Sequence, residues 1–125
     1  MGKKKKLTYY ERMEDALKSL PCPLEDKRHN LYIYFVNDQA RTNQTRYEHI
    51  IQKRHNLTSS DIRRIVKGIK TCIFRKDPER SDTYNIYIKR YSFSQEEYIK
   101  ISLHIDPRKP KRGLVKTMYI TKDIK

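Results

Sequence analysis

The hydrophobic period of the chain changes at Gly68-Ile69-Lys70, and that change restricts the fold more than any other feature. Upstream, apolar residues recur at i, i+3, i+4, the spacing of a helix with one buried stripe. Downstream they alternate, the spacing of strands with one buried face. Helices that come first and strands that come later specify an α+β fold. Consecutive strands joined by short loops favour antiparallel pairing. The expected architecture is therefore α+β, with N-terminal helices packed on a three- to four-stranded antiparallel β-meander.

The stretch Arg46–Ile69 reads as two short helices joined by a tight turn. The first carries Tyr47, Ile50 and Ile51 on its apolar stripe, with His49 and Lys53 four residues apart on another face. Arg54 and His55 close it, and Asn56-Leu57 make the turn. The second opens on Thr58-Ser59-Ser60-Asp61, a capping-box pattern, and buries Ile62, Ile65, Val66 and Ile69. A further helix is expected from Thr8 to Leu20, capped by Thr8 and Glu11, with Tyr9, Met13, Ala16, Leu17 and Leu20 inward; Pro21-Cys22-Pro23 stops it. Leu31–Val36 is apolar and aromatic throughout and predicts a short strand covered on both sides. Asn37–Asn43 reads as loop.

After the change of period, Thr71–Arg75 predicts a short strand and Lys76–Asp82 a turn. In Tyr84–Tyr91, Tyr84, Ile86 and Ile88 face one way while Asn85, Tyr87 and Lys89 face the other. Ser92–Glu96 turns the chain. Glu97–Ile105 places Ile99, Ile101, Leu103 and Ile105 inward and Tyr98, Lys100, Ser102 and His104 outward. Asp106–Gly113 is a basic Pro/Gly loop. Leu114–Thr121 predicts the last strand, with Leu114, Met118 and Ile120 on one face and Thr117, Tyr119 and Thr121 on the other. Lys116 breaks that alternation. The outward face would gather Tyr87, Lys89, Tyr98, Lys100, Ser102, His104, Thr117 and Tyr119, too many hydroxyls, cations and aromatics for an ordinary solvated sheet.

Charge narrows the partners. The 125 residues hold 29 Lys+Arg against 15 Asp+Glu, a net charge of +14. The Lys3–Lys6 run supplies four of these charges and leaves about +10 on the remainder. Residues 1–7 are expected to be a disordered basic tail and residues 8–125 a single domain. Such density points to a polyanion, with nucleic acid the foremost candidate and a merely soluble or ribosome-associated basic protein the alternative. The partner expected from the whole reading is RNA, as tRNA, mRNA or the ribosome. Cys22 and Cys72 form no Cys-x-x-Cys pair, and the start of the chain has no secretory h-region, so a reducing, cytoplasmic setting is expected. No apolar run approaches the ~18 residues of a membrane span, and no membrane partner is expected.

Cleaving RNA with side chains alone needs a general base for the 2′-hydroxyl, a general acid for the leaving oxygen, and cations around the phosphorane. Histidine suits the first two tasks and Lys or Arg the third. His49, His55 and His104 are the candidates, with Lys53, Arg54 and Lys89 nearby; His29 lies in a polar stretch and is the least informative. Tyr87, Tyr98, Lys100, His104 and Lys89, with Arg108, Lys111 and Arg112 of the basic loop, are candidate RNA contacts. Ordinary alternatives stand beside these. A lone surface histidine is inert more often than not, His55 suits a helix C-terminus, and Lys89 suits a strand that must resist edge pairing. No cluster has zinc spacing, no paired carboxylates stand on the polar face, and no Gly-rich phosphate loop is present; neither metal nor cofactor is expected.

The order HIIQKRH, then LTSSDI, then a meander ending in VKTMY resembles the barnase/EndoU/colicin/RelE-like RNase superfamily, in particular its phage and mobile-element branch. The likeness spans roughly Tyr47 to Ile120. It implies a four-stranded antiparallel sheet, metal-independent cleavage through a 2′,3′-cyclic phosphate, and in many members a toxin restrained by an antitoxin or immunity protein, here an acidic one. It assigns His49 as the acid/base histidine, Lys53 or Arg54 to phosphate, and Thr117 and Tyr119 as the hydroxyls of the last strand, with Lys89 at the basic strand position and His55 completing the His-x₅-His pair. The glutamate base of the barnase branch has no counterpart, so the identity of the base stays open. The competing expectations are a non-catalytic RNA- or ribosome-binding module and a catalytically dead regulator.

Overall fold

A computed structural model describes residues 8–90 and 96–124. The basic tail expected over residues 1–7, and all of the expected Ser92–Glu96 turn except Glu96, lie outside the described residues. The fold is α+β. Helix α1 (Tyr9–Lys18) starts at Thr8, whose hydroxyl accepts the Glu11 N–H at 3.2 Å. Its stripe is buried as expected: Met13, Ala16 and Leu17 are sealed and Leu20 follows. Strands β1 (Leu24–Asp26) and β2 (Leu31–Tyr34) form a hairpin, and β3 (Gln39–Arg41) and β4 (Gln44–Thr45) a second, smaller one. Helix α2 (Arg46–Ile50) and helix α3 (Ser59–Gly68) come next, each opened by a complete capping box, Thr45/Glu48 and Thr58/Asp61. Strands β5 (Ile73–Lys76), β6 (Thr83–Arg90), β7 (Glu97–Ile105) and β8 (Arg112–Thr121) complete the chain.

β5 to β8 pair consecutively and antiparallel, which is the expected meander. The sheet does not stop there. β2 joins the far side of β8 in parallel, and β1 follows it, giving a mixed six-stranded sheet of order β1-β2-β8-β7-β6-β5. The last strand is thus internal. Ile86, Ile88, Ile99, Ile101, Leu103 and Met118 form the covered face, in one core with Met13, Leu17, Ile62 and Ile65 of the helices. α3 lies so close to β6 that a Cβ on Gly68 would stand 2.3 Å from Ile88 Cγ2, so the glycine sets the helix–sheet distance.

Several expectations are corrected. The Gln44–Arg54 helix ends at Ile50, and Lys53–His55 is a separate 3₁₀ turn closed by Asn56 in the left-handed region. The His55 Nδ1 bonds the Ile50 carbonyl at 2.9 Å, the acceptor that the next helical turn would have used. His49 and Lys53 therefore do not share a helical face. Val66 stays on the surface of α3 rather than in the core. β2 is covered on one side, with Leu31, Ile33 and Phe35 buried and Tyr32 and Val36 exposed. The polar Asn37–Asn43 loop contains β3 and reaches the β4 hairpin. In β8 the register slips between Ser102↔Thr117 and Leu103↔Val115, so Lys116 is the extra residue of a β-bulge. Beyond the bulge Val115, not Leu114, takes the core position; Leu114 turns to the other face, opposite His104.

Candidate functional site

The bulge marks one wall of a cleft of about 480 Å³, lined by Arg41, Arg46, His49, Arg80, Asp82, Thr83, His104, Lys116 and Thr117, with Ala40 at its edge. Five parts of the chain meet here: the β3 hairpin, α2, the β5–β6 loop running into β6, β7 and β8. Arg46 is the structural member. It is 8% exposed, donates from Nε to Asp38 Oδ1 at 2.9 Å and from Nη1 to the Lys116 carbonyl at 2.9 Å. These bonds tie α2 to the bulge and so hold His49 against β8. Asp38 is held below the usual carboxylate range: burial opposes this, but the Arg46 hydrogen bond and charge outweigh it.

Two imidazoles face the cleft. His49 is half-buried at the end of α2, with Gln52 Nε2 at 3.4 Å from its Nδ1. Burial lowers its pKa, and the charges of His55, Arg41, Arg46 and Arg54 lower it further, so the ring is neutral at neutral pH. His104 stands on β7 with Nδ1 at 3.1 Å from Asp82 Oδ2. Asp82 is placed by its own backbone, whose carbonyl accepts the Ile105 N–H at 2.9 Å, and by the Thr83 hydroxyl at 3.2 Å from Oδ1. With Nδ1 committed to the carboxylate, Nε2 of His104 is the nitrogen left to exchange protons. Arg41, Arg80 and Lys116 supply cations whose side chains make no hydrogen bond among the described residues, and Thr117 supplies a hydroxyl.

An aromatic row adjoins the cleft. His55 lies 5.5 Å from the His49 ring and 6.0 Å from Tyr119, centroid to centroid. Lys100 sits beside two rings, 5.3 Å from Tyr119 and 5.9 Å from Tyr87. Burial pulls its pKa down, but the Tyr119 hydrogen bond, with the charges of Tyr119, Tyr87 and Asp77, prevails and raises it. Tyr98 meets Tyr87 edge to face at 6.5 Å. The strand registers thus place Tyr87, Lys89, Tyr98, Lys100, Ser102, Thr117 and Tyr119 on one face, as the alternation predicts. That face is not open throughout. Tyr87 is 1% exposed, and Asn85 beneath it is sealed, bonded to Asp77 and Ser102.

The remaining candidates separate. His55 is buried, held by the Ile50 carbonyl and the Met118 backbone; burial lowers its pKa against the Ile50 bond. It clamps the 3₁₀ turn to β8 and faces away from bulk water. Lys53 extends over Tyr9 of α1, and Arg54 bonds the Gln52 side chain at 2.6 Å; neither lines the cleft. Lys89 is exposed and reaches Glu96 at 3.5 Å. Arg108 is bound to Asp106, Arg112 lies 4.9 Å over Tyr34, and Lys111 is exposed, its carbonyl accepting the Tyr32 N–H at 2.7 Å. The cleft residues Arg41, Arg46, Arg80, Asp82 and Lys116 are not among the site candidates that the sequence offers. Lys116 alone carried a local signal, its place out of step with the alternation.

Away from the cleft, the donor atoms of Asp26, His29 and Cys72 lie within 4.8 Å of one another, the group among the described residues that could hold a metal ion. Their present bonding is internal. Asp26 meets His29 Nδ1 at 2.7 Å, His29 stacks on Phe74, and burial followed by the Asp26 charge pushes the Cys72 thiol up to about 11. No described helix is long and apolar enough to cross a membrane. The chain matches no known family model, no curated protein and no solved structure.

Proposed function

We propose that the domain is a metal-independent endoribonuclease, of the kind the HIIQKRH and VKTMY segments resemble, and that the phosphodiester sits in the cleft between α2 and the β8 bulge. The observation that carries this reading is the meeting of His49 and the His104–Asp82 pair in one cleft that also gathers Arg41, Arg80 and Lys116. His49, kept neutral by burial and by neighbouring cations, is suited to take the 2′-hydroxyl proton as that oxygen bonds to phosphorus. As the bond from phosphorus to the 5′-oxygen breaks, His104 gives that oxygen a proton from Nε2 while Asp82 fixes the ring. The products are a 2′,3′-cyclic phosphate and a 5′-hydroxyl. The three cations and Thr117 meet the charge that builds on the phosphorane.

The test is incubation of the purified protein with RNA, with and without EDTA, followed by analysis of the ends. Cleavage is expected to survive EDTA and leave cyclic phosphates, because side chains supply every group this route needs. His49→Ala and His104→Ala are each expected to slow it about 10²–10⁴-fold, the contribution of a general acid or base. A wild type that binds RNA and never cuts it makes the domain a binding module. A rate unchanged in both variants removes the two imidazoles from the mechanism.

A further inference from the structure

His104 lines two cavities. Besides the large cleft, it forms one side of a smaller hollow of about 210 Å³ with Asp106, Lys109, Arg112 and Leu114. The chain between β7 and β8 is set by two backbone bonds, Lys109 N–H to the Asp106 carbonyl at 2.8 Å and Arg112 N–H to the Lys109 carbonyl at 3.1 Å. Within it the charges are unequally engaged. Asp106 accepts the Arg108 backbone N–H at 2.9 Å and the Arg108 guanidinium at 3.2 and 3.3 Å, so its charge is answered inside the loop. Arg112 is held in place by stacking on Tyr34. The Lys109 ammonium makes no hydrogen bond or ion pair among the described residues. The hollow is thus a small concave site with a guanidinium stacked on Tyr34, a free ammonium and the apolar edge of Leu114, and it shares His104 with the cleft.

We infer that this hollow is a second phosphate subsite, which takes the phosphate next to the scissile one in a single-stranded RNA. The inference rests on the ribonuclease reading for its substrate class. A strand that occupies both cavities must bend around His104, which a single strand does at less cost than a stiff duplex. Lys109 and Arg112 then hold the neighbouring phosphate by charge-assisted hydrogen bonds.

The experiment measures affinity for single-stranded oligonucleotides made uncleavable by 2′-deoxy substitution, lengthened from one phosphate to three at fixed salt. Wild type is expected to gain roughly tenfold on the added phosphates, as one charged hydrogen bond provides. In Lys109→Glu the gain disappears. In Lys67→Glu, an equal charge change on α3, it remains. An equal loss in both variants, no gain in wild type, or the same gain on a duplex overturns the subsite. Cleavage is followed in parallel. A wild type that shows the Lys109-dependent gain and cuts nothing overturns the catalytic reading and upholds the subsite. One that cuts without such a gain does the reverse.

Discussion

The guanidinium of Arg46 donates to the main-chain carbonyl of Lys116 across 2.9 Å, joining residues 70 positions apart. A bulge leaves backbone groups outside the strand ladder, and here a side chain answers one of them. The same guanidinium bonds Asp38, so one residue fixes α2, the β3 hairpin and the bulge together.

Arg46→Lys is expected to destabilise the protein by about 1–3 kcal/mol, since an ammonium cannot serve both acceptors in this geometry and leaves one unsatisfied. Urea midpoints measure this. Wild-type stability in the variant would show that the bulge does not need the guanidinium.

Asp82→Asn is expected to lower RNA cleavage about tenfold while preserving binding, because it removes the carboxylate charge that stands 3.1 Å from His104 Nδ1. Single-turnover rates at saturating RNA separate the two effects. In a His104→Ala background the same change should cost little, as residues acting as a unit are non-additive.

The histidines set an acid limit. His49 and His55 have folded pKa values below the ordinary value of about 6.5, so between that value and the lower folded ones the unfolded chain binds more protons. Stability is therefore lost as pH falls through that interval. Urea midpoints between neutral and mildly acid pH should decline, and His49→Gln should make the decline shallower. The acid limb of kcat/KM, which follows the free base, should lie below 6.5.

Gly68→Ala opposes two effects. Alanine favours a helix by about 1 kcal/mol, but overpacking costs about 1–3 kcal/mol. The new Cβ would meet the branched part of Ile88 at 2.3 Å rather than a flexible tip, which puts the cost toward the upper end of that range, so a net loss of about 2 kcal/mol is expected. A stabilised variant would show that α3 can lift from β6 freely.

RNA affinity should fall steeply with salt, through release of counterions from phosphates met by Arg41, Arg80 and Lys116. An affinity flat from low to moderate salt would point to a protein partner.

Local period carries much of this fold. The alternation in Glu97–Ile105 matches the nine residues of β7, and the Thr58/Asp61 pair marks the start of α3. The parallel pairing of β2 with β8 leaves no comparable trace, because it depends on contacts between segments far apart in sequence. The site divides in the same way. His49, His104 and Thr117 are legible from residue type and face. Arg41, Arg80 and Asp82 lie in stretches that read as loop and turn, and tertiary structure alone brings them to the imidazoles. Lys53 shows the opposite error: helical spacing put it beside His49, and a side-chain bond from His55 to Ile50 interrupts that helix.

The position of β8 within the sheet also sets an order of assembly. Synthesis runs from the N-terminus, yet β8, made after the other seven described strands, lies between β2 and β7 and contributes Lys116 and Thr117 to the cleft. Until Arg112–Thr121 leaves the ribosome, the β1–β2 hairpin and the β5–β7 meander have no shared partner, and Arg46 has no bulge to bind. The cleft therefore takes shape only once β8 has paired along both of its edges.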